Sequence, residues 1–528
     1  MATQWQTFPI EFKGGLISNL SLLQQGTNAV GSATILQNFE ATREGGYSKI
    51  KGYNKYSDTV VAGSGPILGL AVVESDHVVV ARENASNVTE YYYGAGDAWT
   101  SLGARPLLGN KVRNVIGNLD GTEKLIFVDG VNYPAIYNTS TNAFTAVTGL
   151  VDVLGAEHTE FFSDTAWYAK GNTLYFTAPF TLDDFSSANG SGVFNITENI
   201  TGLVVFRNQL IIFTANSIKR LTGTTSADFT LSSITDRIGC INGDTIKEVG
   251  GDIMYLAPDG IRLLSATDRI GDFALDIASD PITKDANTFL ISTSTFTSVL
   301  IREKAQYRIF AYIPSEQNEV AKGLIATKFI AQGAAGISWS TTFGIKAYVA
   351  DSRYSGSEET IVFANADGYV YVMDTGSSFD GSVIEAIYES PYMPITDPQM
   401  RKSFYKMTLY AEPKGDMDIA FNVKYDFDES GSTTTIQPPS QDVSITSGGV
   451  FAFGSSRSVF GNVISAPGVP QVSDPGDAAR FGGNISKVYP NNIIGSGKTI
   501  SIRVADRSIN PTFTLDAALL EYSQNDRQ

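Results

Sequence analysis

GSGKT, Gly495 to Thr499, is the chain's nearest approach to a phosphate-binding loop. Such a loop needs G-x-x-x-x-G-K-[ST] after a strand and before a helix, because backbone N–H groups and the helix N-terminus together hold the phosphates. Here the first glycine position is Asn492, and TISIRV follows, an alternating strand pattern. Lys498 therefore reads as a turn residue.

The other chemistry-bearing residues are few. His77, His158 and Cys240 are the whole stock of imidazole and thiol groups, and no Cys-x-x-Cys occurs. A transition-metal site is not expected, and a His-dependent triad has almost no candidates. No G-x-S-x-G elbow is present. Asp183 and Asp184 in PFTLDDFSSANGSG, and Asp367 in NADGY, are the carboxylates that a sugar-cleaving propeller could use. Glycosidases hold two carboxyls roughly 5–9 Å apart across a cleft. Each of these acids lies among Gly, Asn and Ser, which is the composition of a solvated turn. An Asp-rich calcium turn lacks the EF-hand pattern. The expectation is no catalytic residue, no cofactor and no metal.

What remains is electrostatic. REGGYSKIKGY, Arg43 to Tyr53, places Arg43, Lys49 and Lys51 around Gly45-Gly46, with Lys55 just beyond. On a strand, Lys49 and Lys51 share one face and Ile50 takes the other. The lysines then either guard an edge strand against aggregation, or touch an acidic neighbouring subunit or a passing phosphate. Arg43, Lys49, Lys51 and Lys55 are the candidate subunit-contact residues.

The elements that must position these residues are strands. Short alternating apolar strands and Gly, Asn or Asp turns recur: HVVVAREN from His77, EKLIFVDGVNYPAIYN from Glu123, GNTLYFTAPF from Gly171 and FRNQLIIFTANSIKRL from Phe206. GGDIMYLAPDGIRLL from Gly250, AQYRIFAYIPSE from Ala305 and ETIVFANADGYVYVM from Glu359 continue the series. Asp129-Gly130, Asp259-Gly260 and Asp367-Gly368 read as hairpin turns, since glycine supplies the positive φ of primed turns. A period of roughly 35–55 residues is the range of propeller blades. The fold expected is all-β: an irregular β-propeller of about six or seven blades over residues 62–393, with a pair of β-sandwiches as the alternative. No WD or kelch signature marks the repeats.

Around this core lie an N-terminal platform segment, 1–61, and a C-terminal β-sandwich, 394–528, with long loops at 431–484. Asp276 to Phe289 is the one helical pattern, with Pro281 placed to begin it. Pro391, Pro394 and Pro398 mark a linker.

Composition narrows the function. The chain has 528 residues, 42% hydrophobic and 18% charged, too apolar for disorder. No apolar run is long enough for a membrane span, and MATQWQTFPIEFKGG does not resemble a signal peptide. The net charge of −17 disfavours polyanion binding, which depends on Lys and Arg against phosphate.

LQNFEATREGGYSKIKGY (Leu36 to Tyr53), the order of features from Ile200 to Leu264, and the closing RVADRSINPTFTLDAALLEYS resemble the tail nozzle and tail hub proteins of short-tailed bacteriophages. The resemblance covers about two-thirds of the chain and leaves 431–484 unmatched. It implies a structural virion protein in the tail, made in the host cytoplasm. Six copies would form a homo-hexamer below a tail adaptor ring, with tail fibres as further partners. Double-stranded DNA would pass along its channel without specific binding. The N- and C-terminal strands would combine into a platform. The competing reading is a propeller that binds or cleaves surface glycans.

Overall fold

The computed structural model describes residues 5–43, 45–74, 77–264, 277–293, 295–331, 334–415, 417–427, 445–446 and 487–524. The described chain is mostly strand, in many small antiparallel sheets.

Seven antiparallel meanders follow one another along the sequence. The first has strands Ile67–Glu74, His77–Glu83, Thr89–Ala95 and Ala98–Ala104. The next three begin at Arg113–Asn118, His158–Phe162 and Ile200–Phe206, with four strands each. The fifth, from Lys247–Val249, has three strands; the sixth begins at Phe296–Ile301 and the seventh at Val349–Ser355. Tyr53–Lys55 is the fourth strand of the seventh, pairing with Val370–Met373. Each repeat unit noted in the sequence supplies a strand or hairpin to a different meander.

Strand burial explains the apolar runs. Val78 and Val80 pack against the seventh sheet, while Val79 and Ala81 pack against the second. Because both faces of this strand are covered, HVVVARE carries no apolar–polar alternation. Apolar clusters likewise join the second sheet to the third, the third to the fourth, the fourth to the fifth, the fifth to the sixth, and the sixth to the seventh. Each fully buried Leu, Ile or Phe in such a seam contributes about 1.5–3 kcal/mol.

Turn chemistry differs from the expectation. Two-residue turns with both residues at positive φ are Ser163-Asp164, Arg207-Asn208 and Gly250-Gly251, while Gly96-Asp97, Gly171-Asn172 and Gly356-Ser357 place only the glycine there. Asp129-Gly130 and Asp367-Gly368 lie in longer loops, and the turn before Gly260 is Pro258-Asp259. The aspartates serve as loop braces: Asp129 Oδ1 accepts N–H bonds from Val131 and Asn132.

The chain ends are woven together. Gln6–Glu11 and Tyr47–Lys49 both pair with Phe513–Gln524, which also pairs with Lys402–Pro413. Ile35–Gln37 joins the last strand of the sixth meander to Ala386–Glu389, and Ile500–Asp506 and Asp418–Tyr425 follow, giving one nine-stranded sheet. Leu409 and Leu520 from one terminal sheet share a core with Phe421 and Ile502 from the other.

Pro281 opens a 3-10 turn, Asp280–Ile282, leading into the helix Thr283–Leu290. The proline-marked stretch is largely buried rather than a free linker, because Lys402 Nζ donates to the carbonyls of Pro394 and Asp397. The 431–484 loop expectation lies, except for Ile445–Thr446, outside the described residues.

Candidate functional site

The first strands of successive meanders are neighbours in space. Ile67–Glu74 lies beside Arg113–Asn118, which lies beside His158–Phe162, then Ile200–Phe206. The turn Gly243–Thr245 connects these to Phe296–Ile301 and Val349–Ser355, and the latter returns to Ile67–Glu74. Residues from all seven line a cavity of about 290 Å³.

The inner strands leave backbone groups unpaired on the cavity side, and such groups need partners. Side chains from adjoining sheets supply them. Asp351 Oδ2 accepts from the Val72 N–H at 2.9 Å, and Asn114 Nδ2 donates to the Leu70 carbonyl at 2.9 Å.

Asp244 organises the charges. Asn242 caps its turn by accepting the Asp244 N–H at 2.9 Å. Its carboxylate then receives Arg113 Nε at 2.7 Å and Lys111 Nζ at 3.1 Å. Burial works to raise this carboxyl, but Lys111 and Arg113 outweigh it and hold the group well below the usual carboxylate range. Lys111 also donates to the Phe296 carbonyl at 3.2 Å, and Arg113 Nη1 donates to the Glu157 carbonyl at 3.2 Å. The cluster therefore ties four sheets together, and Lys111 is not a free nucleophile.

His158, Glu160, Lys247 and Glu248 also border the cavity. Burial, with Arg113 adding to it, pushes His158 down to about 3, so the imidazole is neutral. Burial pushes Glu160 up to about 7, opposed by one hydrogen bond from the Phe161 N–H at 3.0 Å. No motif announces this site: Lys111, His158, Asp244 and Asp351 come from different repeats. The only sequence signal was that ionisable residues stand on or beside otherwise apolar strands.

The candidate subunit-contact residues are not brought to one surface. Arg43 is exposed at the turn between Phe39–Ala41 and Tyr47–Lys49. Gly46 is at φ 90°, and a Cβ there would lie 2.6 Å from the Leu515 carbonyl oxygen. Lys49 corrects the expectation: its side chain is 0% exposed and points inward. Lys49 Nζ donates to Asp506 Oδ1 at 3.2 Å and to the Ser508 carbonyl at 2.9 Å. Ile50 is also buried, so the two residues do not divide into a wet and a dry face. Lys51 is half-buried and acts electrostatically on Asp374. Lys55 lies 3.5 Å from Asp380 and over the Tyr369 ring at 4.6 Å.

A second buried network fastens this segment to the meanders. Glu40 receives Lys304 Nζ at 2.7 Å and Arg308 Nη2 at 2.9 Å, and Asp374 receives the same two cations.

The remaining chemistry-bearing residues serve local structure. Asp183 accepts the Gly149 N–H, and Asp184 braces Ser186 and Asn189. Asp367 accepts from the Tyr369 N–H and the Tyr371 hydroxyl. Lys498 lies in the turn between Lys487–Gly497 and Ile500–Asp506. His77 meets Glu74 at 3.2 Å and stacks on Tyr93. Among the described residues, no group of three or more His, Cys, Asp or Glu side chains could hold a metal, and no helix is long and apolar enough to cross a membrane.

No protein-family model matches the chain, and no curated protein matches it. One solved structure to which it is similar is the extracellular domain assigned to a one-component system of B. thetaiotaomicron, at 11% identity and a TM-score of 0.38. The match covers 75% of this chain and 48% of that one, so the chain spans about half that structure's length. A likeness this loose carries no argument about function.

Proposed function

We propose that this chain is a structural tail protein of a short-tailed bacteriophage, a nozzle or hub that lines a conduit for DNA. In this reading the seven meanders are the blades of a β-propeller, and the woven terminal strands are its platform. The observation that carries it is the coupling of both chain ends into a two-sheet body continuous with the sixth meander. That arrangement supports the architecture implied by the resemblance in 36–53, 200–264 and 503–523.

Six copies would close around an axis below an adaptor ring, with tail fibres bound at the periphery. Six times the −17 of one chain would repel DNA from the walls, so the duplex slides rather than sticks. Exposed Arg43 and the partly exposed Lys51 and Lys55 are the remaining candidates for contact with an acidic neighbour. Lys49 is withdrawn from that role. The glycan-cleaving alternative is weakened by Asp184 and Asp367, which brace their own loops, and by Asp183, which accepts the Gly149 N–H of a neighbouring loop.

Native mass measurement of the purified chain, alone and with its adaptor, tests this function. A hexamer that weakens when Arg43, Lys51 and Lys55 are reversed to Glu supports it. A persistent monomer that cleaves polysaccharide contradicts it.

A further inference from the structure

We propose that the cavity among the seven first strands is a binding site for one small, uncharged, hydroxyl-rich molecule, of the size of a monosaccharide or cyclitol. The site belongs to the single chain and stands independently of the ring assembly proposed above.

Three observations carry this. The first is size: about 290 Å³ lies at the bottom of the ~300–1,000 Å³ span of ligand pockets. The second is charge balance. Lys111, Arg113 and Lys247 face Asp244, Glu248 and Asp351, and burial raises Glu160 to about 7, so it is about half ionised at neutral pH. A lining with matched charges, two of its cations already shared by Asp244, gives little net attraction to an anion or a cation.

The third is unspent hydrogen-bonding capacity. His158 and Thr159 are each 8% exposed and line the cavity. The Thr159 hydroxyl is buried without a partner. Leaving buried polar groups unmatched is costly, so such groups are usually satisfied by something. Arg113 commits Nε and Nη2 to Asp244 and Nη1 to Glu157, which leaves two of its five N–H groups. A neutral imidazole offers one donor and one acceptor, and Thr159 offers both. Hydroxyl groups also donate and accept, so a polyol matches this mixed set. Inorganic phosphate also carries a hydroxyl at neutral pH, but its net negative charge meets no surplus of cations in this lining.

The test is calorimetric titration of the full chain with D-glucose, D-galactose, N-acetylglucosamine and myo-inositol, against inorganic phosphate and glycine. At least one of the four polyols should saturate a single site. Thr159→Val, which keeps the side-chain shape and removes an unpartnered hydroxyl, should weaken that binding about tenfold while the thermal midpoint holds. His158→Phe gives a second variant, and it should weaken binding comparably. Saturation by phosphate or glycine but by none of the polyols would overturn the proposal. So would a lack of saturation by all four polyols, or polyol binding that both folded variants leave unchanged.

Discussion

Lys49→Met makes the strongest demand on the description of the 43–55 segment. The ammonium and the Asp506 carboxylate are both 0% exposed, 3.2 Å apart. Methionine fills most of the same space but removes the charge. Asp506 Oδ1 would keep its bonds from the Ser508 N–H at 2.7 Å and the Ser508 hydroxyl at 2.8 Å, while Oδ2 already lacks a partner. Removing one member of a buried pair leaves an uncompensated charge and typically costs about 3–5 kcal/mol. The lower end is expected here, because Ser508 solvates the carboxylate. Asp506→Asn in the same chain should restore most of it, since the amide oxygen still accepts from Ser508. Hydrogen exchange of 500–524, together with chemical unfolding of the single and double variants, measures the effect. An exposed lysine at a subunit contact would instead change monomer stability by no more than about 0.5 kcal/mol. A cost that small, or a double variant no better than Lys49→Met, would refute the buried pair.

Trp167 is fully buried, stacks on Phe176 at 4.7 Å and joins the third sheet to the fourth; Trp167→Ala should cost about 3–5 kcal/mol, read as a lower thermal midpoint. Gly45 and Gly46 both have positive φ, but only Gly46 lies against the Leu515 carbonyl. Gly45→Ala should cost of order 1–2 kcal/mol and Gly46→Ala clearly more, in parallel melts; equal costs would contradict the close approach. Glu160 is raised from 4.5 to about 7 by burial. The stabilising effect of its neutral form is therefore complete below about pH 4.5, declines as pH rises, and is gone above about 7. Glu160→Gln should match the wild type in acid and exceed it at alkaline pH by up to about 3 kcal/mol, measured as the difference in melting temperature across a pH series.

The sheets were legible where burial leaves a mark on sequence. HVVVARE, QLIIFT and DIMYLA are apolar through their middles because neighbouring sheets cover both faces, and each was read as a strand. Turn positions were read less well. Asp-Gly pairs drew attention, yet the tight turns use Ser163-Asp164 and Arg207-Asn208, whose positive φ leaves a weaker trace in composition. The pairing of Gln6–Glu11 with Phe513–Gln524 is a contact across nearly the whole chain; local pattern suggested strands around Lys49–Lys51 and at the C-terminal end but none at 6–11, and only the family resemblance suggested that the two ends combine. Lys49 misled because alternate lysines look like an exposed edge. Its partner, Asp506, lies more than 450 residues away, so nothing local marks the lysine as buried. The cavity was invisible for the same reason: its lining is drawn from all seven repeats, none of which supplies more than five residues.

The central claim is that the seven small sheets pack radially into a closed disc, whose terminal-strand platform lets identical copies encircle a hollow axis. Electron cryomicroscopy of the purified assembly tests it most directly. The predicted result is a six-fold ring around an open channel, with seven sheets in each copy and Phe513–Gln524 in the platform. Isolated protomers, or a subunit whose first and seventh sheets do not touch, would contradict it.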